Sequence, residues 1–355
     1  MKKYKTSKYK RNELISYSMV TIAFALMTLL SKTGALSSSL QGQLVPISVY
    51  IVMAISLNLV VGISGELSLG HAGFMSVGAF SGVVVATYLQ TAVTSGALRL
   101  IIALGVGGLT AGVAGFLIGI PVLRLRGDYL AIVTLAFGEI IRNIMNILYV
   151  GMDVSGLQIA LKAERINLGE GGKMILNGPM GATATVKIAN FTAAFLLVLF
   201  TLYIVQNILY SKHGRSIMAV RDNRIAAESI GLNVMRYKLT AFVISAALAG
   251  MGGVMFGLNY STLAPSKFGF NTSVLILVFV VLGGIGNIWG GMLAATVLTV
   301  LPEALRQFSD YRMMVYAVVL ILVMIGTYNP VIKSYTKKYT DKLRPKKKKE
   351  LKEGV

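Results

Sequence analysis

Residues 211–238, SKHGRSIMAVRDNRIAAESIGLNVMRYK, are polar although long apolar runs flank them on both sides. Asp222 and Asn223 are good helix N-caps and Gly231 is a natural C′ residue, so the spacing predicts a short helix over Arg224–Ile230. A helix of about two turns is marginal alone in water and needs a surface to hold it. The stretch therefore predicts either a joint to a soluble partner at a membrane face or an amphipathic helix lying on lipid headgroups.

The composition of the chain is that of a helical membrane protein. Of its 355 residues 55% are hydrophobic and 14% are charged, and none is cysteine. Several apolar runs approach the roughly 20 residues that span a bilayer, whereas the alternation typical of a membrane β-barrel is absent. The lack of cysteine excludes disulfides and thiolate metal sites. We therefore predict an all-α polytopic membrane protein with about 8–10 transmembrane helices.

The distribution of charge predicts the topology. The candidate spans are 14–30, 44–62, 73–90, 97–120, 129–150, 190–210, 238–260, a broken run 272–301, and 313–329. Lys and Arg are concentrated outside these spans, in 1–11, at Arg124 and Arg126, in 211–238 and in 331–355. Short cytoplasmic segments attract such charge, so it indicates a membrane topology and not a nucleic-acid partner. The external segments are then 31–43, 91–96, 151–189 and 261–271.

This topology requires an even number of crossings. Nine crossings would leave the lysine run Lys346–Lys349 outside, against the positive-inside rule. We therefore predict that 272–301 crosses twice or turns back on itself. Its glycines are the points where the helix could break: Gly283, Gly284, Gly286, Gly290 and Gly291.

The chain is predicted to consist of one membrane domain with basic ends. Residues 1–13 form a basic cytoplasmic N-tail, 14–330 the transmembrane domain, and 331–355 a basic cytoplasmic C-tail near anionic lipid. The apolar stretch Leu14–Leu30 is too long for a signal peptide and lacks a good cleavage site, so we expect it to remain as the first span.

Glycines recur at helical spacing in two spans. In 97–120 they fall on one face: Gly105, Gly108, Gly112, Gly115 and Gly119. In 238–260 small residues recur at the same helical spacing, at Ala246, Gly250, Gly253 and Gly257. Such faces let another helix backbone approach closely, so we interpret both as helix-packing faces.

Two further segments look alike, Val60–Leu67 (VVGISGEL) and Val281–Ile288 (VLGGIGNI). Glycine-interrupted apolar segments in corresponding halves of a chain indicate a transport site near the membrane midplane and an internal repeat. Polar residues surround the first segment: Asn58, Ser64, Glu66, Ser68 and His71. They are candidates for a translocation path, and the alternative is hydrogen bonding between helices.

A polar stripe also follows one side of the span 129–150. It consists of Glu139, Arg142, Asn143 and Asn146. A charge facing lipid at mid-depth costs roughly 2.5–3.5 kcal/mol, so these side chains are expected to face protein or water. Glu139 and Asn143 are further candidates for the path, and Glu139 could also pair with Arg142.

No enzyme motif is present. H-E-x-x-H and G-x-S-x-G are missing, and the nearest phosphate-loop candidate, 169–174, has Asn167 in place of the first glycine and Met174 in place of Ser or Thr. We predict a non-catalytic protein with no cofactor and no metal. Energy for transport must come from a partner or from an ion gradient, where Glu66 and Glu139 could serve as coupling carboxylates; a channel is the third alternative.

Four stretches resemble the LivM-type permeases of branched-chain amino-acid ABC importers. They are LNLVVGISGELSLGHAGFMSVGAF (57–80), LRLRGDYLAIVTLAFGEIIRNI (123–144), GRSIMAVRDNRIAAESIGLNVMRYKLTAFVISAALAGMGGVMFG (214–257) and VLGGIGNIWGG (281–291). In ABC importers a cytoplasmic E-A-A-x-x-x-G loop docks on the ATPase. Ala226, Ala227 and Gly231 match that pattern, whereas Ile225 replaces its glutamate.

The resemblance implies a subunit of a larger assembly in a bacterial or archaeal plasma membrane, with both termini cytoplasmic. Its partners would be a homologous second permease, two cytoplasmic ATPases, an external substrate-binding protein that meets loop 151–189, and membrane lipid. The residues implied in ATPase coupling are Asp222, Asn223, Arg224, Ala226, Ala227, Glu228 and Gly231. The implied substrate is a branched-chain or similar amino acid, and the alternative within the family is urea or a short amide.

Overall fold

The computed structural model describes residues 17–18, 20–34, 37–125, 127–153, 156–166, 168, 172–183, 185–305, 311, 314–315, 317–318 and 321. The predicted N-tail 1–13, the C-tail 331–355 and most of the candidate span 313–329 lie outside these residues. The chain divides into two compact units, Met1–Val300 and Leu301–Val355. The elements below belong to the first unit, except for the last turn of the final helix.

The described residues are mainly helical, as predicted. The helices are α1 Val20–Lys32, α2 Ser38–Asn58, α3 His71–Tyr88, α4 Gly96–Val122, α5 Asp128–Asn146, α6 Phe191–Tyr210, α7 Lys212–Asp222, α8 Arg224–Ser229, α9 Val234–Gly257, α10 Phe270–Gly283 and α11 Ile288–Ala304. Within the described part of the chain, six helical segments are long and apolar enough to cross a membrane, and α1 and α11 are shorter apolar helices. The prediction of a polytopic all-α membrane protein is confirmed.

Helix α9 lies at the centre of the bundle, against α2, α3 and α4. Gly78 faces Gly250 and Gly82 faces Val254, so α3 runs parallel to α9. Helix α4 runs antiparallel to α9, because its early residue Gly108 meets Met251 and its late residue Gly119 meets Leu239. These close approaches require glycine. A Cβ at Gly78 would lie 2.2 Å from the Gly250 carbonyl oxygen, which is too close for any side chain.

The glycine stripe of α4 faces α9 at four of its five positions. Gly108, Gly112, Gly115 and Gly119 each point at a residue of α9. Gly105 does not, because nothing lies within 4 Å of its Cβ position. The buried face of this part of α4 passes through Leu100, Ala103 and Gly107 instead, which lie on a different side of the helix from Gly105.

A small antiparallel sheet lies beyond one end of the bundle, and the sequence interpretation did not anticipate it. Its strands are β1 Tyr149–Asp153, β2 Gly156–Ala160, β3 Lys173–Asn177, β4 Ala182–Thr183 and β5 Thr262–Leu263, in the order β2-β1-β3-β4-β5. Most of it comes from the segment 151–189. Because α9 starts just after α8 and ends just before β5, the sheet and α8 mark opposite ends of the bundle, called here the sheet end and the α8 end.

The run 272–301 is broken where its glycines predict. Helix α10 ends at Gly283 and α11 begins at Ile288, with Gly284 and Gly286 at φ 92° and 82°. A Cβ at Gly290 would lie 1.7 Å from the Gly283 oxygen. Residues seven apart in a continuous helix are about 10 Å apart along the axis. The chain therefore turns sharply here, which confirms the break; the number of crossings stays a prediction.

Candidate functional site

The two glycine-broken segments meet in the tertiary structure. After α2 the chain forms a π-helical turn, Leu59–Ser64, and leaves the helix at Gly65 with φ 76°. A Cβ at Gly62 would lie 2.5 Å from the backbone nitrogen of Gly286 in the second break. The similarity between the two segments thus extends to their geometry, because each ends a helix at a glycine of positive φ and the two backbones touch.

Asn58 joins the two breaks. Its side chain is fully buried, and its Oδ1 accepts a hydrogen bond of 2.9 Å from the Gly286 backbone N–H. Its Nδ2 has no protein partner among the described residues. Two hydroxyls of the first break, those of Ser64 and Ser68, are also buried without a partner. Buried polar groups are normally paired, so three groups without a partner among the described residues are unusual in this part of the bundle.

The loop between Gly65 and Gly70 is held by two neighbouring helices. The Leu69 N–H donates to the Thr134 hydroxyl of α5 at 3.0 Å. At the start of α3, the Ala72 N–H donates to the Ser273 hydroxyl of α10 at 3.2 Å. Backbone that leaves the helix at membrane depth must find such partners in protein, so the loop is a built element of the bundle.

His71 is a hydrogen-bonding residue of the bundle interior. Its Nε2 lies 2.8 Å from the Ser56 hydroxyl, which itself donates to the Met53 carbonyl. Ser245 of α9 donates to the Ser56 carbonyl, which places this group beside the middle of α9. Among the described residues no cluster of metal-ligating side chains surrounds it.

Glu66 is paired. Its carboxylate forms a salt bridge with Lys238 in the second turn of α9, and the two side chains are 11% and 15% exposed. The sequence interpretation placed Glu66 in the path and did not identify Lys238 as its partner. The pair ties the loop to the α8 end of the bundle.

The polar stripe of α5 has a structural role at Glu139. Its Oε2 lies 2.7 Å from Nη2 of Arg142, which confirms the suggested pair. Its Oε1 accepts the Phe270 N–H at 3.0 Å and so caps the first turn of α10. Asn143 lies on the exposed side of α5, whereas Asn58 is fully buried. The structure therefore does not bring Glu139 and Asn143 together with the first group of path candidates.

The short helix in 211–238 forms as predicted, and Asn223 is its cap. Asn223 Oδ1 accepts the Ala226 N–H at 3.0 Å, and the helix ends before Gly231 at φ 83°. Asp222 closes the preceding helix α7 and pairs with Arg221. Arg224 and Glu228 form an i,i+4 ion pair along α8, with 2.9 Å between Nε and Oε1.

The exposed face of α8 differs from the sequence interpretation at one residue. Ala227 is only 3% exposed and packs against Val220 and Val234 of the neighbouring helices, so it anchors α8 to the bundle. Ile225 of α8 and Ile230, the residue just after the helix, are by contrast 77% and 75% exposed. The E-A-A-x-x-x-G pattern does not distinguish buried from exposed residues, because it does not fix which side of so short a helix faces the bundle.

Arg221 is a site residue that sequence reasoning missed. It lies in the last turn of α7, and its Nη1 donates to the Gly62 carbonyl at 2.8 Å. The contact joins residues 159 positions apart, so local spacing could not reveal it. The position of Arg221 next to the helix cap was the available signal.

Comparison with known proteins agrees with this architecture. Residues 39–324 match the family described as branched-chain amino acid transport system / permease component. The chain is 39% identical over 232 residues to the high-affinity branched-chain amino acid transport system permease protein LivM of Escherichia coli (strain K12), which covers 62% of this chain and 55% of the relative. The chain thus aligns with little more than half of that protein's length. No solved structure matches the chain.

Two other relatives extend the range of the family. The permease protein LivH of Escherichia coli (strain K12) is 33% identical over 145 residues, 40% of this chain and 44% of LivH. The L-arabinose ABC transporter permease protein AraH of Azospirillum brasilense is 32% identical over 234 residues, 65% of this chain and 60% of AraH. With the family match spanning most of its length, the chain belongs to the permease components of branched-chain amino acid transport systems.

Proposed function

We propose that the chain is the transmembrane permease subunit of an ATP-driven ABC importer for branched-chain or similar amino acids. It would translocate substrate that an external binding protein delivers, and partner ATPases would hydrolyse the ATP. The observation that carries the proposal is the capped helix α8, which lies in the segment between the apolar helices α6 and α9 and has two exposed isoleucines, Ile225 within it and Ile230 just after it. An exposed apolar pair of this kind is suited to burial by a soluble partner.

The assembly follows from the family. A homologous second permease would complete the membrane part, since relatives of both the LivM and the LivH type are similar to this chain. Two ATPases would bind at the α8 end, and the binding protein would meet the segment 151–189 at the sheet end. This arrangement puts both termini and the basic segments on the cytoplasmic face of a bacterial or archaeal plasma membrane.

Substrate would pass by the meeting point of the two glycine breaks. The unpaired Nδ2 of Asn58 and the hydroxyls of Ser64 and Ser68 in the first break offer weak polar contacts, which suit brief binding of a zwitterion. Glu66 could not serve freely as a proton or ion carrier, because Lys238 already neutralises it. Glu139 is engaged by Arg142 and the Phe270 N–H. These pairings favour ATP-driven transport over an ion-gradient carrier.

The test uses the chain co-expressed with a second permease of its family and the matching ATPases, reconstituted in proteoliposomes with the loaded binding protein. We expect the ATPase to co-purify and leucine, isoleucine or valine uptake to require ATP. Collapse of ion gradients with an ionophore should leave that uptake intact. Uptake driven by a cation gradient without ATP would contradict the proposal.

Two alternative substrates are tested in the same vesicles. Urea and short amides are the alternative that the sequence resemblance leaves open, and L-arabinose is suggested by the similarity to AraH. ATP-dependent uptake of one of these in place of the branched-chain amino acids would keep the ABC permease and change its substrate.

A further inference from the structure

Arg221 reaches from the segment around α8 into the first glycine break. Its Nη1 donates to the Gly62 carbonyl, and its aliphatic part packs on Gly65, where a Cβ would lie 2.5 Å from Arg221 Cγ. Its Nε and Nη2 both bind Oδ1 of Asp222, at 2.9 and 2.7 Å. The guanidinium therefore links the residue next to the α8 cap with both glycines of the break.

The Gly62 carbonyl is available to Arg221 because the helix is broken there. In a continuous α-helix it would accept the N–H of Glu66, four residues later. Here that N–H donates to the Val60 carbonyl instead, at 3.1 Å. A freed carbonyl at membrane depth needs another donor, and Arg221 supplies it.

Lys238 makes the second connection on the other side of α8. It follows α8 in the chain, whereas Arg221 precedes it, and its salt bridge holds Glu66 at the far end of the break. Removing one partner of a pair this well buried leaves the other charge without compensation. Arg221 and Lys238, which flank α8 in the chain, thus bind the two ends of the segment Gly62–Glu66.

We infer that Arg221 and Lys238 are positioning residues that transmit displacement of α8 to the glycine breaks. This inference rests on the proposed function, because it takes α8 to be the element that the ATPase moves. Displacement delivered to Gly62 reaches the second break as well, since Gly62 touches Gly286 and Asn58 bonds to it. The contacts Arg221–Gly62 and Lys238–Glu66 are called here the two latches. They would therefore couple the ATPase to the place where substrate would pass.

The first experiment replaces Arg221 in the complete reconstituted complex. Arg221→Met removes the donors and keeps an apolar chain, Arg221→Lys keeps one cationic donor, and Lys212→Met removes an exposed cation of the same helix. The readout is substrate taken up per ATP hydrolysed. We expect Arg221→Met to lower this ratio at least about tenfold, Arg221→Lys to retain it within about threefold, and Lys212→Met to leave it unchanged.

The second experiment exchanges the charges of the buried pair. Glu66→Lys and Lys238→Glu each place like charges face to face, so both single variants should transport poorly for each ATP hydrolysed. The double variant restores an ion pair and should recover the ratio to within about threefold of wild type, which a double-mutant cycle measures as coupling. Co-purification with the ATPase reports assembly separately.

The outcomes separate the two proposals. If wild type shows ATP-dependent uptake while Arg221→Met and both charge variants keep a normal ratio, the latches are refuted and the permease function stands. A double charge variant that is no better than its parents also overturns the latch at Lys238. If wild type itself takes up nothing with ATP, the proposed function fails first.

Discussion

At the scale of single residues, the contact between Gly62 and Gly286 joins the two glycine breaks. Gly62 has Asn58 Oδ1 and the Gly286 backbone against it, with no room for a methyl group. Oδ1 of Asn58 accepts the Gly286 N–H, whereas its Nδ2 has no partner among the described residues. Small residues allow helix backbones to approach closely, and polar side chains inside membrane proteins are candidates for functional positions.

We predict that Gly62→Ala disrupts this contact, because its Cβ would lie 2.0 Å from Asn58 Oδ1 and 2.5 Å from the Gly286 nitrogen. The breaks must separate, so uptake by the reconstituted complex should fall at least about tenfold. Gly105→Ala is the matched control, since nothing lies within 4 Å of its Cβ position. Equal uptake by the two variants would contradict the close approach.

At the scale of elements, α8 is a short helix whose orientation is fixed by its inner side. Ala227 rests on Val220 and Val234, and the Asn223 cap closes the first turn. A six-residue helix has little stability of its own, so these tertiary contacts hold it in place. Ile225 of the helix and Ile230 just after it remain exposed.

We predict that Ile225→Lys weakens binding of the ATPase, because a lysine replaces an exposed apolar side chain that the partner would bury. The dissociation constant of detergent-purified subunits should rise about tenfold or more. Met180→Lys changes an apolar residue at the sheet end that is 64% exposed and serves as the control. Undiminished affinity of the Ile225 variant would exclude this face of α8 as the docking surface.

At the scale of the whole molecule, the two ends of the bundle have different structures. One end carries α7 and α8, and the other carries the five-stranded sheet. Helix α9 runs between them and packs along α3 and α4 through glycine contacts. Closely packed interiors are stiff, so a central helix of this kind can relate events at one end to the other.

We predict that a charge on the exposed side of the sheet affects delivery of substrate and not ATPase assembly. Ile159 of β2 is 66% exposed. Ile159→Asp should reduce stimulation of ATP hydrolysis by the loaded binding protein about tenfold, while basal hydrolysis and ATPase co-purification stay at wild-type values. Stimulation equal to wild type would place the docking surface of the binding protein elsewhere.

The sequence by itself determined the membrane class, the positions of most spans, the break in 272–301 and the short capped helix after Asn223. Those features follow from local signals, namely apolar run length, glycine and cap residues. Only the tertiary structure decided that Gly62 meets Gly286, that Arg221 and Lys238 hold the first break, and that Ala227 faces inward. It also formed a sheet from short strands, one of which lies far along the chain from the others. The physical reason is that such contacts join residues distant in sequence, and they depend on how helices pack and not on any local spacing.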